Sequence, residues 1–297
     1  MRTPPRFKPL ARRGWVLLAS WPLGGCGGVL DPQGPVGAAE KLILLNSLGI
    51  MLAIVVPTIL ATLGVAWWFR ASNRRAVYRP DWEYSGRIEL VVWAIPAMTV
   101  LLLGGIGWAG SHLLDPAKAL ASSAAPLEVD VVALDWKWLF IYPEQGVASV
   151  NRLVAPVGRP ISLRLTSATV MDSFFVPQLG TQIYAMPGMT TRLNLQADRL
   201  GRFPGLSAMF SGDGFSRMSF VFDALPDAQF QAWAAAAKAQ GPALDAAGYQ
   251  ALARPSQGVA PTTYSAVAPG LFDALARTQT PPPPAGAAVA MPTAMEP

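Results

Sequence analysis

The chain has one cysteine, Cys26, and one histidine, His112. Most transition-metal sites draw on several thiolate or imidazole donors, and bis-imidazole haem ligation needs two histidines. His112 closes an apolar run and reads as an interfacial polar cap. Glu89 is the better candidate for chemistry. It opens a second apolar run in Arg87-Ile-Glu-Leu-Val-Val-Trp93. A carboxylate entering a membrane segment is costly and commonly serves a proton or ion path. It can equally reach the interface along its stem or pair with Arg87, and the residues alone leave both roles open. Gly212-Asp-Gly214 is short enough to be a plain turn. No activated nucleophile, acid–base pair or phosphate loop stands elsewhere.

The most distinctive pattern lies in residues 170–222. It begins Val-Met-Asp-Ser-Phe-Phe-Val-Pro-Gln-Leu-Gly-Thr-Gln-Ile-Tyr-Ala-Met-Pro-Gly-Met and continues at Gly205-Leu-Ser-Ala-Met-Phe-Ser-Gly-Asp-Gly-Phe-Ser-Arg-Met218. This resembles the copper-binding half of subunit II of the haem-copper respiratory oxidases, where a His opens the first segment and a Cys-x-x-x-Cys-x-x-x-His-x-x-Met run fills the second. Under that resemblance the first His falls on Asp172, the two Cys on Ser207 and Ser211, the second His on Phe215 and the Met on Met218. The carbonyl-donating Glu falls on Met209. Serine hydroxyls and a phenyl ring do not replace soft and imidazole donors, and only Met218 keeps a ligating atom. The resemblance thus implies a frame without its metal, the pattern of the quinol-oxidising, bo-type members. It also tips the reading of Glu89, since the family has a Glu there beside the cytoplasmic mouth of a proton channel in the large subunit.

The elements that must position these residues follow from hydropathy. The 297 residues are 52% hydrophobic and 14% charged, with a mean hydropathy of +0.33, which is too apolar for an ordinary soluble chain. The net charge of +5 does not indicate a nucleic-acid partner, because Arg2, Arg6, Lys8, Arg12 and Arg13 account for all of it. They precede a short apolar run, residues 14–23, as in a secretory signal. That run ends in Leu23-Gly24-Gly25-Cys26 and resembles a bacterial lipoprotein signal. Residues 1–25 are expected to be removed and Cys26 lipidated.

Residues 42–69 and 90–111 contain no charged side chain. A span of the hydrocarbon core needs about 20 apolar residues, so both are expected to be transmembrane helices, forming a hairpin within residues 26–116. Pro57 and Pro96 inside them suggest packing on partner helices. Trp67, Trp68, Trp93 and Trp108 fall near the expected ends, as an interfacial belt does. The connection holds Arg70, Arg74, Arg75, Arg79 and Arg87 against Asp81 and Glu83. The positive-inside rule therefore puts it in the cytoplasm and both flanks outside.

Beyond a small-residue connector the pattern becomes strand-like at 127–134, 139–142, 161–166, 174–176, 191–195 and 218–222. Pro and Gly breaks between these runs predict an antiparallel sandwich or barrel. The resemblance narrows residues 117–225 to a cupredoxin-like barrel outside the membrane. Asp135-Trp-Lys-Trp-Leu-Phe-Ile-Tyr-Pro-Glu144 matches the family's aromatic stretch. Without copper, Trp136 and Trp138 are expected to pack or face a partner. From Ala117 onward there are 12 basic and 12 acidic residues, so nothing in the totals favours docking a basic cytochrome c. Residues 226–279 predict a helical appendage, with Asp227 capping a helix over 227–240 and shorter helices over 243–253 and 271–278. Residues 280–297 have the Pro- and Ala-rich composition of a disordered tail.

The whole reading is a two-helix membrane protein with an all-β cupredoxin-like domain and a helical C-terminal appendage, similar to subunit II of bo-type ubiquinol oxidases. The resemblance implies an inner-membrane, lipid-anchored location with the C-terminal domain periplasmic. It implies subunits I, III and IV and membrane lipids as partners, haems and copper in subunit I, no metal in this chain, and ubiquinol as substrate of the complex. A cytochrome c oxidase subunit II and a stand-alone cupredoxin-like lipoprotein are the alternatives.

Overall fold

The computed structural model describes residues 28–77 and 79–278. The expected signal, Cys26 and the tail from residue 280 lie outside them. Helix α1 spans Pro35–Trp68 and α2 spans Gly86–Leu113. Both are apolar on every side, as suits a helix surrounded by lipid or other helices. With 34 residues α1 is about 51 Å long, well beyond a hydrocarbon core of about 30 Å. Its first turns therefore emerge, and they dock on the β domain. Val36 and Gly37 are buried there. The Gly37 N–H donates to the Leu179 carbonyl at 3.0 Å, and the Gln33 N–H to that of Gln178 at 2.7 Å. The helices approach closely at Gly110, where a Cβ would lie 2.9 Å from Ile43 Cδ1.

The strands are β1 Leu127–Leu134, β2 Lys137–Tyr142, β3 Val147–Val150, β4 Arg152–Pro156, β5 Ile161–Ser167, β6 Asp172–Phe175 and β7 Ile183–Ala185. They continue as β8 Thr191–Leu195, β9 Gly201–Ser207, β10 Ser219–Leu225, β11 Ala243–Leu244, β12 Thr262–Tyr264 and β13 Ala266–Val267. One sheet has the order β12-β3-β2-β1-β5-β8 and the facing one β4-β10-β9-β6-β7. The sandwich is mixed rather than antiparallel, because β1 runs parallel to β5 and β10 to β4. Trp138, Phe174 and Phe220 fill the space between the sheets, with Phe174 stacked on Phe220 at 4.8 Å between centroids.

Four domain strands, β3, β4, β7 and β9, had no clear signal. Gly201-Arg-Phe-Pro-Gly-Leu-Ser207 contains residues that normally break a strand. In β9, Gly205 instead makes room for Phe220, whose Cζ lies 2.1 Å from where a Cβ would sit. Between β3 and β4, Asn151 at φ 53° reverses the chain sharply enough to divide one apolar stretch in two.

In the appendage α3 spans Asp227–Gln240, but Pro226 is its N-cap and Asp227 its first helical residue. The Asp227 carboxylate still complements the helix N-terminus by charge. Residues 243–253 are not one helix. The segment opens with β11, paired to β13, and Asp245 then caps α4, Ala246–Ala253, by accepting the Gly248 N–H at 2.7 Å. The last helix, α5, spans Leu271–Arg277. These elements cover the outer face of β1 to β3 with a second apolar cluster that includes Val132, Leu139, Leu244 and Phe272.

Polar fastenings hold the appendage in place. Lys137, 1% exposed, donates from Nζ to the Arg254 carbonyl at 2.7 Å and to Ser256 Oγ at 2.5 Å. Arg164 grips Asp130 through two hydrogen bonds, of 2.7 and 2.8 Å, and lies over the Phe272 ring.

Candidate functional site

The copper-frame positions converge at one end of the second sheet. Asp172 opens β6, Ser207 closes β9, and Met218 leads into β10 after a short 3-10 helix, Phe215–Arg217. Sheet pairing brings them together, since Phe174 opposes Ser207 and the Ser207 N–H donates to the Met218 carbonyl at 3.1 Å. Asp172, Ser207 and Met218 are all buried. Ser207 Oγ lies 3.1 Å from Asp172 Oδ1, to which it donates, and 3.2 Å from the Met209 carbonyl. Ser211 Oγ lies 3.9 Å from the Met218 sulfur and also hydrogen-bonds Asp172. Phe215 instead turns to Phe210, edge-on at 5.7 Å.

These positions thus form a buried hydrogen-bonded cluster around one carboxylate, that of Asp172. Burial pushes the Asp172 carboxyl above its ordinary range, while the Ser211 and Ser207 hydroxyls pull it back by bonding the charged form. Among the described residues no group of three or more His, Cys, Asp or Glu converges.

Trp136 closes this cluster from the side. Its φ of 62° is rare for a bulky residue, and sequence alone does not reveal it. Its Nε1 donates to the Ser211 carbonyl at 3.0 Å. The ring lies so close to Gly214 that a Cβ there would meet Trp136 Cδ2 at 2.2 Å. Asp135 accepts the Thr169 hydroxyl at 2.7 Å, tying the same turn to the segment before β6. Trp138, two residues on, is wholly buried in the core.

Glu89 is far from this cluster, in the first turn of α2 at the end remote from the β domain. Its Oε2 accepts the Trp93 indole N–H at 3.1 Å, one helical turn along. Arg87 forms no ion pair with it among the described residues, so the pairing expected as an alternative is replaced by an indole. His112, at the other end of the helix, folds against Trp108, with Nδ1 2.8 Å from its carbonyl oxygen.

A membrane hairpin carrying a two-sheet cupredoxin-type domain defines a terminal-oxidase subunit II architecture. The family description "Cytochrome C oxidase subunit II, periplasmic domain" matches residues 127–225, and "COX Aromatic Rich Motif" matches residues 238–277. The chain is 47% identical over 269 residues to cytochrome bo(3) ubiquinol oxidase subunit 2 of Pseudomonas aeruginosa, covering 90% of this chain and 81% of that one. It is 48% identical over 257 residues to ubiquinol oxidase subunit 2 of Acetobacter aceti, covering 85% and 83%. It is 35% identical over 244 residues to quinol oxidase subunit 2 of Bacillus subtilis, covering 81% and 76%. The chain belongs to the ubiquinol oxidase subunit 2 family, as a membrane-anchored subunit with a periplasmic domain.

Proposed function

We propose that this chain is the metal-free subunit II of a bo-type complex that passes electrons from ubiquinol to oxygen, forming water and translocating protons. The observation that carries the metal-free reading is the engagement of Ser207 and Ser211 with the Asp172 carboxylate. A dinuclear copper centre does not fit this donor set. One thioether remains, the hydroxyl groups are already committed to a carboxylate, and a phenyl ring stands where an imidazole is needed. Electrons would therefore bypass this domain, with haems and copper in subunit I, and no cytochrome c would dock on it.

The chain's own work is then mechanical and protonic. The hairpin packs against subunit I, the domain caps its periplasmic face, and subunits III and IV complete the assembly. Glu89 is proposed to stand beside a proton entrance, in keeping with its position at the cytoplasmic end of α2. Cys26 is proposed to carry a lipid anchor in the outer leaflet of the inner membrane, the side to which the positive-inside rule assigns the flanks of the hairpin.

The deciding experiment is metal analysis and oxygen uptake on the purified complex. Uptake driven by ubiquinol, with copper only in the amount the large subunit accounts for, is the expected result. Uptake driven by reduced cytochrome c would overturn the reading.

A further inference from the structure

We propose that the cytoplasmic end of the helical hairpin is a binding site for one anionic phospholipid. The connection between α1 and α2 is a shaped structure. Asn73 Nδ2 donates to the Trp68 carbonyl at 2.6 Å, closing the end of α1, while its Oδ1 accepts the Arg75 N–H at 3.2 Å. The Trp82 N–H donates to the Arg79 carbonyl at 3.3 Å. Beside these turns lies an open groove of about 760 Å³ floored by Trp68, Phe69, Trp82 and Ile88, with Arg75 and Arg79 on its wall.

The two guanidinium groups are available. Arg70 is folded back on its own helix, its guanidinium 4.6 Å over the Trp67 ring and bonded to the Trp67 carbonyl at 2.8 Å. Among the described residues, the Arg75 and Arg79 side chains have no hydrogen-bond or ion-pair partner. The loop's acids, Asp81 and Glu83, do not line the groove.

Depth and charge decide the occupant. The groove sits where α1 ends and α2 begins, at the membrane surface opposite the periplasmic domain. A cytoplasmic leaflet carries anionic headgroups, and basic pockets between transmembrane helices on that side bind them. A free soluble anion would satisfy the arginines and leave the indole floor bare. A phospholipid satisfies both, with phosphate at Arg75 and Arg79 and an acyl chain along Trp68 and Ile88.

The test is native mass spectrometry of the intact oxidase complex, titrated with dioleoylphosphatidylglycerol or dioleoylphosphatidylcholine. The double variant R75Q/R79Q is expected to bind phosphatidylglycerol about 30-fold more weakly, about fivefold for each basic side chain, with phosphatidylcholine unchanged. Arg70→Gln should leave both unchanged. Should the double variant not assemble, the wild-type preference for phosphatidylglycerol must still decline with added salt. Equal phosphatidylglycerol binding by assembled wild type and double variant, or a salt-independent preference, overturns the proposal. So does an acidic segment of another subunit cross-linked at Arg75 or Arg79.

Discussion

The indole N–H of Trp136 donates to the Ser211 carbonyl at 3.0 Å while its ring occupies the space a side chain at Gly214 would need. One tryptophan in a left-handed turn thus fixes the middle of the loop between β9 and β10. The φ of 62° at Trp136 costs energy, and the bond and the ring contact hold it in place.

Gly214→Ala should destabilise the outer domain by about 1–3 kcal/mol, because the added methyl overlaps the ring. Trp136→Ala removes the obstacle, so the double variant should lose less than the sum of the two single losses. Hydrogen exchange of the amides at 207–218 in the assembled complex reads this. Strict additivity would show that the ring does not constrain the loop.

Asp172→Asn is expected to stabilise the domain at pH 7. Burial holds the folded carboxyl above its unfolded value, so stability falls as the pH rises from the unfolded to the folded pKa, and the whole cost is present above the latter. That cost fades as the pH falls through the folded pKa toward 3.8, the ordinary aspartate value, and the advantage of Asn should fade with it. Asn keeps an acceptor for Ser207. Thermal unfolding followed against pH checks both sign and window, and a wild type more stable than the variant at pH 7 would refute the assignment.

Lys137→Met keeps the buried stem and removes the ammonium that holds the chain at Arg254 and Ser256. Losing charged hydrogen bonds of this kind typically costs about 1–3 kcal/mol. The appendage should open locally, and the broad-specificity protease proteinase K should cut it within residues 250–260 roughly tenfold faster. Unchanged cleavage would mean that Asn151, which donates to the Val259 carbonyl at 2.8 Å, and Arg164 suffice without it.

Glu89→Gln should slow quinol-driven turnover severalfold while the complex assembles with full haem content. Trp93→Phe, which deletes the only hydrogen bond to the Glu89 side chain among the described residues, should slow turnover to a smaller extent. Turnover and proton release unchanged in both variants would remove Glu89 from the proton path.

The strongly patterned elements were legible and the irregular ones were not. β1 was readable because Leu127–Leu134 alternates Glu128 and Asp130 with Val129 and Val131. β9 was hidden by Pro204 and Gly205, and at 205 the Phe220 ring across the sheet takes the space a side chain would need. The fastening of the appendage was equally silent. Lys137 looks like a surface residue until its ammonium is seen under a segment more than a hundred positions later.

By itself the sequence determined the two apolar helices, the excess of arginines between them, and a donor set with a single cysteine and a single histidine. Those are properties of single residues or of continuous runs, and partition into lipid or donation to a metal depends on side-chain chemistry alone. Only the tertiary structure decided that Asp172, Ser207, Ser211 and Met218 share one hydrogen-bonded cluster, that Trp136 closes it, and that β12 from the appendage extends the main sheet. These arrangements join residues far apart in the chain, and they form because burial of the sheet faces and satisfaction of buried polar groups are properties of the whole packed domain.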